Sequence, residues 1–242
     1  MKHFFPLIIL FSVIGCSIKE RNIEIVVTTD VHGNFFSDNF LTPGSKQGSL
    51  SKVAFFVDSL RTAGKTVLVF DNGDLLQGTP ASYYLNYIDT GATTVSAMMD
   101  QIGYLSGTVG NHDIECGHKV YDQLKKQFKH PWLAANIIDK RSGLPYFQPY
   151  TIIDTLGVRF AVLGLITPGI PRWLPKKLWE GLEFQDMILC AKQWIDTIKQ
   201  KESADFIIGT FHSGWNPGYG NGDSLKPFNE NASMLVARQV KG

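Results

Sequence analysis

An α/β fold with helices on both faces of a sheet is the architecture this sequence predicts. Short β-branched apolar runs alternate with stretches of helical periodicity from residue 23 onward, and four of those runs break off into a compact polar cluster. At 242 residues, 44% hydrophobic and 19% charged, the chain has an ordinary globular composition and room for one large domain or two small ones. It carries no internal repeat and no low-complexity segment.

The elements follow in order. Residues 23–29 (IEIVVTT) read as a strand buried on both faces, because the run is β-branched and apolar throughout. Residues 49–63 set Leu50, Val53, Ala54, Val57 and Leu60 at helical spacing, and Gly64 stands where such a helix stops. Residues 66–70 (TVLVF) predict a second strand, 93–102 a helix and 105–109 a short third strand. A helix over 118–128 and an extended segment over 132–135 come next. Residues 150–154 and 158–165 flank a turn at Thr155-Leu156-Gly157, which predicts a hairpin. A long amphipathic helix over 184–201 leads to a strand over 205–210 (DFIIGT), and 229–240 predicts a last helix. Stretches 168–175 and 215–222 read as loops, neither long enough to be a domain linker.

Residues 1–15 stand apart from this pattern. Lys2 and His3 precede an apolar run, 4–14, that is too short to span a bilayer as a stable helix. The run ends in Val13-Ile14-Gly15-Cys16, which resembles a bacterial lipoprotein signal cleaved before Cys16 with a lipid on that thiol. A plain secretory signal is the alternative, and either predicts an exported protein of the periplasm or cell envelope. Residues 16–22 would then be a short tether and 23–242 the folded part. Removing 1–15 takes one lysine and no acid, so Lys+Arg falls from 23 to 22 against 22 Asp+Glu. A chain without net charge gives no electrostatic sign of binding a nucleic-acid polymer. Cys116 and Cys190 could pair in an oxidising compartment, though two cysteines in a domain this large are more often unpaired.

The polar clusters fall at four strand ends. Asp30-Val31-His32-Gly33-Asn34 follows the first strand, Asp71-Asn72-Gly73-Asp74 the second, Gly110-Asn111-His112-Asp113 the third, and His212-Ser213-Gly214 the DFIIGT strand. In an α/β sheet the loops at the carboxyl ends of the strands converge on one crevice. Each cluster alone has a bland reading as a helix cap, a turn dipeptide or a hydrogen-bonded histidine. Four at once point to a site. Mixed carboxylate, amide and imidazole donors suit first-row divalent ions such as zinc, manganese or iron rather than calcium. A carboxylate shared by two ions holds them about 3.5–4 Å apart, so that they activate water and neutralise charge on a phosphoryl group. No serine, cysteine or threonine is paired with a base in these clusters, which favours metal-activated water over a covalent intermediate.

The strings DVHGN, NGDLLQG, VGNHD and FHSG, in this order, resemble the calcineurin-like metallophosphoesterases. The longer strings NGDLLQGTPASYY and GNHDIECGHKVYDQL are similar to the bacterial branch of 5′-nucleotidases and 2′,3′-cyclic-nucleotide phosphodiesterases. The resemblance runs over residues 23–242. It implies a β-sandwich of mixed sheets flanked by helices, two divalent metal ions (zinc, manganese or iron), and a nucleotide or cyclic-nucleotide substrate. Asp30 and His32 would bind the first ion, Asp74 would bridge, and Asn111 and His212 would bind the second. His112 would not be a ligand; it would protonate the leaving oxygen, as the near-neutral pKa of an imidazole suits. Asp113 would orient its ring, and Asn111 and His112 would also contact substrate. Asn34, Gln77 and His118 are polar residues beside the motifs for which loop or surface roles are as good a reading. Cys116 is a soft ligand or, more simply, a packed side chain.

One departure matters. The family pattern has a further Gly-His-x-His motif and a second, base-stacking domain, and residues 214–242 contain neither. The expectation is therefore a chain cut within its catalytic domain, with three protein ligands per ion counting Asp74, and with weak or no activity by itself. A non-catalytic lipoprotein that keeps the fold as a binding surface is the alternative. A phosphoesterase for another substrate, such as a sugar nucleotide, is a second one.

Overall fold

The computed structural model describes residues 20–38, 48–90, 93–219 and 226–241. Residues 1–15, expected as a leader, and Cys16, expected to carry a lipid, lie outside the described residues, as does the end of the 215–222 loop. Among the described residues no helix is long and apolar enough to cross a membrane.

The chain runs β1 (Ile23–Thr28), α1 (Leu50–Thr62), β2 (Thr66–Asp71), α2 (Pro80–Tyr83, continued by a π-helical turn Tyr84–Ile88), α3 (Thr94–Ile102) and β3 (Ser106–Thr108). It continues through α4 (Asn111–Glu115), α5 (His118–Gln127), β4 (Trp132–Leu133), β5 (Ile137–Asp139), β6 (Tyr150–Thr155) and β7 (Val158–Ile166). The last elements are α6 (Ile170–Trp173), β8 (Leu182–Phe184), α7 (Met187–Lys201), β9 (Phe206–His212) and α8 (Ser233–Gln239).

Two main sheets form. β1-β2-β3-β4 is parallel throughout, and in β6-β7-β9 the first pair is antiparallel and the second parallel. Leu68 and Phe70 from the first sheet meet Phe160 and Val162 from the second, with Leu133 between them. That dry interface makes the sheets a sandwich. Each outer face is covered by helices: Val57, Met99 and Tyr121 pack on the parallel sheet, while Met187, Ile195 and Val236 pack on the mixed sheet. The result is the expected α/β sandwich between helical layers, except that one of its two sheets is wholly parallel and only the other is mixed. The sheets approach so closely at Gly164 that a Cβ there would lie 2.3 Å from Leu133 Cβ. A hydrogen bond from Thr108 Oγ1 to Thr210 Oγ1, 2.7 Å, pins β3 to β9 across the sandwich.

Several elements differ from the sequence reading. β1 is an edge strand with one face open, and Ile25 and Val27 are 49% and 53% exposed. A β-branched run reports fit to a pleated strand, and it does not tell two covered faces from one. The helix expected over 184–201 starts at Met187, because Leu182–Phe184 instead pairs antiparallel with Ile137–Asp139. Asp186 then caps the helix, accepting from Ile188 and Leu189 N–H at 2.9 and 3.0 Å. The last helix spans Ser233–Gln239 only. The loop over 168–175 contains α6, and α2 and α4 were not legible as helices at all. Cys116 and Cys190 are buried free thiols.

Candidate metal centre

The carboxyl ends of β1, β2, β3 and β9 lie side by side, and their loops are stitched by backbone bonds. Asp30, His32 and Gly33 N–H donate to the carbonyls of Gly73, Asp74 and Leu75, each at 2.9 Å. To make that ladder, Asp30, His32 and Asp74 adopt left-handed backbone conformations with φ of 52°, 48° and 58°. Non-glycine residues avoid this region, and its cost is met where function fixes the backbone. Two glycines let the loops touch. A Cβ on Gly73 (φ 95°) would sit 2.8 Å from Gly110 N and His212 Nδ1, and one on Gly110 would sit 2.2 Å from Asp74 N and Oδ1.

On this frame the donors converge. Single ligand atoms of Asp30, His32 and Asp74 lie within 4.8 Å of one another. His32 Nε2 is 3.7 Å from Asp30 Oδ1 and 3.9 Å from Asp74 Oδ2. On the other side of Asp74, His212 Nε2 stands 3.2 Å from Oδ2 and 3.1 Å from Asn111 Oδ1. Both imidazoles are oriented through their other nitrogen. His32 Nδ1 donates to Gln77 O at 3.1 Å and His212 Nδ1 to Asn72 O at 2.6 Å, which leaves each Nε2 lone pair facing the carboxylates. All five residues expected as metal ligands are thus brought to one place.

This donor set fits a cation. Three lone-pair atoms, from His212, Asn111 and Asp74, face one another, and such atoms repel unless positive charge lies among them. A proton serves in the bare protein: burial works against a charged His212, but the hydrogen bond and charge of Asp74 outweigh it and push the imidazole up to about 9. A divalent ion would take that proton's place. Asn72 adds a buried Oδ1 with no hydrogen-bond partner, on the wall of the same cleft.

His112 and Asp113 separate in role. His112 N–H donates to Asp74 Oδ1 at 2.8 Å, and its ring lies edge-on to His32 with centroids 5.2 Å apart. Its Nδ1 bonds to Glu115 Oε2. Asp113, expected to orient that ring, does something else. Its carboxylate accepts four backbone N–H groups, from Asp74 (3.0 Å), Leu75 (2.9 Å), Leu76 (3.0 Å) and Gly110 (2.8 Å). The reason is helical geometry: adjacent residues on α4 point apart, whereas residues three apart share a face. Burial raises the Asp113 carboxyl to about 6, with the nearby Asp74 charge adding to it and the Gly110 N–H opposing it. Burial likewise raises Asp71 to about 7, although Thr28 Oγ1 donates to it at 2.7 Å.

Other sequence candidates resolve plainly. Cys116 is packed, its thiol directed to His112 O at 3.4 Å, and burial holds it up at about 12. Gln77 contributes its carbonyl to His32, and Asn34 Nδ2 bonds within its own loop to Val31 O. His118 is held by Asp122 and the Glu180 carbonyl, away from the centre. Glu115 is the residue that sequence reasoning missed, and its spacing from His112 was the available signal. Three of the candidate ligands, Asp30, Asn111 and His212, line a cleft of about 260 Å³ together with Trp173 and Glu230.

A sandwich whose strand ends deliver this donor set is the architecture of the metal-dependent phosphoesterases. The chain matches the family model for calcineurin-like phosphoesterases over residues 23–237, and it belongs to that family, whose members use divalent metals. Among characterised relatives it is 28% identical over 237 residues to a 2′,3′-cyclic-nucleotide 2′-phosphodiesterase/3′-nucleotidase of Yersinia enterocolitica, covering 91% of this chain and 35% of that protein. It is 30% identical over 236 residues to a 5′-nucleotidase of Vibrio cholerae, covering 92% and 40% respectively. The chain therefore spans well under half the length of these relatives. Its structure superposes on the calcineurin-like phosphoesterase YfkN of Bacillus subtilis with a TM-score of 0.78 at 27% identity, covering 90% of this chain and 68% of that one.

Proposed function

We propose that the chain carries the centre of a two-metal hydrolase of nucleotide phosphate esters, acting on nucleoside monophosphates, 2′,3′-cyclic nucleotides or both. The observation that carries this reading is the Asp74 carboxylate, only 4% exposed and flanked by two histidines whose Nδ1 atoms are tied to backbone carbonyls. Asp30, His32 and Asp74 would hold one ion, and Asp74, Asn111 and His212 the other. Bound there, divalent ions would supply a nucleophilic hydroxide from water and stabilise charge on the phosphoryl oxygens. The protein's own part is to aim and to protonate. Glu115 anchors Nδ1 of His112, so the ring keeps one orientation beside His32 and can pass a proton to the departing oxygen. Asp113 holds the Asp74 loop rigid by its four N–H bonds, so the bridging carboxylate needs little reorganisation. Export and a lipid on Cys16 belong to the same proposal, since they would place the centre among extracytoplasmic nucleotides.

The test is metal content and hydrolysis together. The chain incubated with manganese or zinc and desalted should retain two ions, and Asp74→Asn should lose them along with any hydrolysis of AMP or 2′,3′-cyclic AMP. Equal metal content in the two proteins would overturn the assignment.

A further inference from the structure

The chain just ahead of β1 is tied to the end of the sandwich opposite the metal centre. Arg21 Nη1 donates to Gly157 O at 2.9 Å, in the turn between β6 and β7. Five residue steps separate Arg21 from Cys16, and fully extended they span no more than about 18 Å. A lipid on Cys16 would therefore hold this end of the sandwich close to the bilayer, whatever path residues 17–20 take. Apolar side chains stand in the open at the same end. Leu156, at the tip of the β6–β7 hairpin, is 49% exposed, and Phe206, at the start of β9, is 59% exposed with its ring stacked on Phe160 at 5.6 Å. The hairpin closes from Thr155 to Val158 through two residues, with φ of 49° at Leu156 and 69° at Gly157. Positive φ at both positions is the signature of a type I′ turn, which selects Asn, Asp or Gly at the first of them. A leucine there strains the backbone and leaves half its surface in solvent, so neither turn chemistry nor packing accounts for it.

We propose that this end, the hairpin tip at Leu156 together with Phe206, is the surface that rests on the lipid bilayer, with the metal centre turned away from it. The inference rests on the lipid-anchor part of the reading above and adds an orientation to it. Side chains of this kind reach the boundary of headgroups and acyl chains, about 5–10 Å deep. The nearby carboxylates do not oppose an anionic lipid surface, because Asp154 is paired to Arg159 at 2.9 Å and Glu24 to Lys65 at 3.7 Å. Six residue steps along β9, about 20 Å at strand rise, separate Phe206 from the candidate ligand His212. The cleft then opens toward the aqueous space, where a soluble nucleotide reaches it without meeting the lipid. Tyr83 and Tyr87 are further exposed apolar side chains, at 60% and 43%, but they follow the carboxyl end of β2 and share a cleft with Gln77, on the metal side.

The experiment takes the full chain, purified from membranes with the lipid it carries, into phosphatidylglycerol vesicles. Leu156→Cys, Phe206→Cys and Tyr83→Cys are each labelled with an environment-sensitive fluorophore. Cys116 and Cys190 are buried, and the unsubstituted chain measures their background. With a lipid spin-labelled near its headgroup in the vesicles, the labels replacing Leu156 and Phe206 should lose most of their emission, and the label replacing Tyr83 should keep it. If Phe206→Cys does not fold, Leu156→Cys carries the comparison. Equal quenching of the Tyr83 label, or emission retained at Leu156 in a chain that bears the lipid, overturns the orientation and leaves the anchor standing. A chain whose mass shows no lipid on Cys16 overturns anchor and orientation together and leaves the metal centre untouched.

Discussion

Replacing Gly110 by alanine tests whether the metal centre depends on a contact that has no side chain in it. Gly110 has φ of −100° and ψ of 170°, a conformation open to alanine, so any effect is steric and not conformational. The added Cβ would stand 2.2 Å from both Asp74 N and Asp74 Oδ1. Ordinary van der Waals contact begins at 3.4 Å, so the two groups must part by about 1.2 Å (3.4 − 2.2). A displacement of about 1 Å in a catalytic group costs on the order of 100-fold in rate, and overpacking costs about 1–3 kcal/mol in stability. The expected outcome is a folded Gly110→Ala variant, destabilised by roughly 2 kcal/mol in urea unfolding, that retains less than one ion per chain after desalting. Gly48→Ala is the control, because a Cβ there meets nothing within 4 Å. A Gly110→Ala variant with the metal content of wild type would refute the argument that Asp74 is placed by backbone contact with the β3 loop.

Three further outcomes follow from the geometry. His130 is 7% exposed with neither ring nitrogen partnered, and burial lowers it from 6.5 to about 4. A folded-state pKa below the unfolded one gives stability that is complete above pH 6.5 and is lost as pH falls through 4. Between those values the loss runs at about 1.4 kcal/mol per pH unit, or roughly 3 kcal/mol in all, so His130→Phe should flatten the acid limb of the urea-unfolding profile. Parallel profiles for the two proteins would contradict this. Glu115→Gln should lower kcat on nucleotide substrates by on the order of tenfold with little change in metal content, because it weakens the hold on His112 and touches no ligand; loss of metal in that variant would count against the division of roles. Cys16→Ser should abolish incorporation of labelled palmitate and release the protein from membranes, and continued labelling would place the lipid elsewhere.

Much of the candidate site was legible in the sequence because the residues expected as ligands follow strand ends, and strand ends are marked by the switch from β-branched runs to polar ones. Asp30, His32, Asp74, Asn111 and His212 all carry a side chain whose chemistry announces itself. What was hidden lies in the backbone. Nothing in the letters shows that Asp113 accepts four amide protons, because amides look alike in every residue, and its place beside His112 suggested the wrong partner. The same holds for the fold. Long periodic helices such as α1 and α7 were visible, but β5 and β8 have three residues each and exist only because they pair with one another across a distant stretch of chain. Too short a run carries no period, so only the folded partner reveals it.

The segment from Asn72 to Gln77 gathers nearly every thread of the centre. Its carbonyls receive the amides of Asp30, His32 and Gly33 and the imidazoles of both histidines, and its amides are received by Asp113. The candidate ligands arrive from four strands, yet their aim is referred to one short piece of main chain, like spokes set in a single hub. Among its side chains only that of Gln77 is free of the metal reading, the core and the loop contacts, since Gln77 serves through its carbonyl. A single inserted residue there would turn both histidines and the bridging aspartate out of register in one event. Activity in this centre should therefore fall as sharply with a change in the length of the hub as with the loss of Asp74 itself.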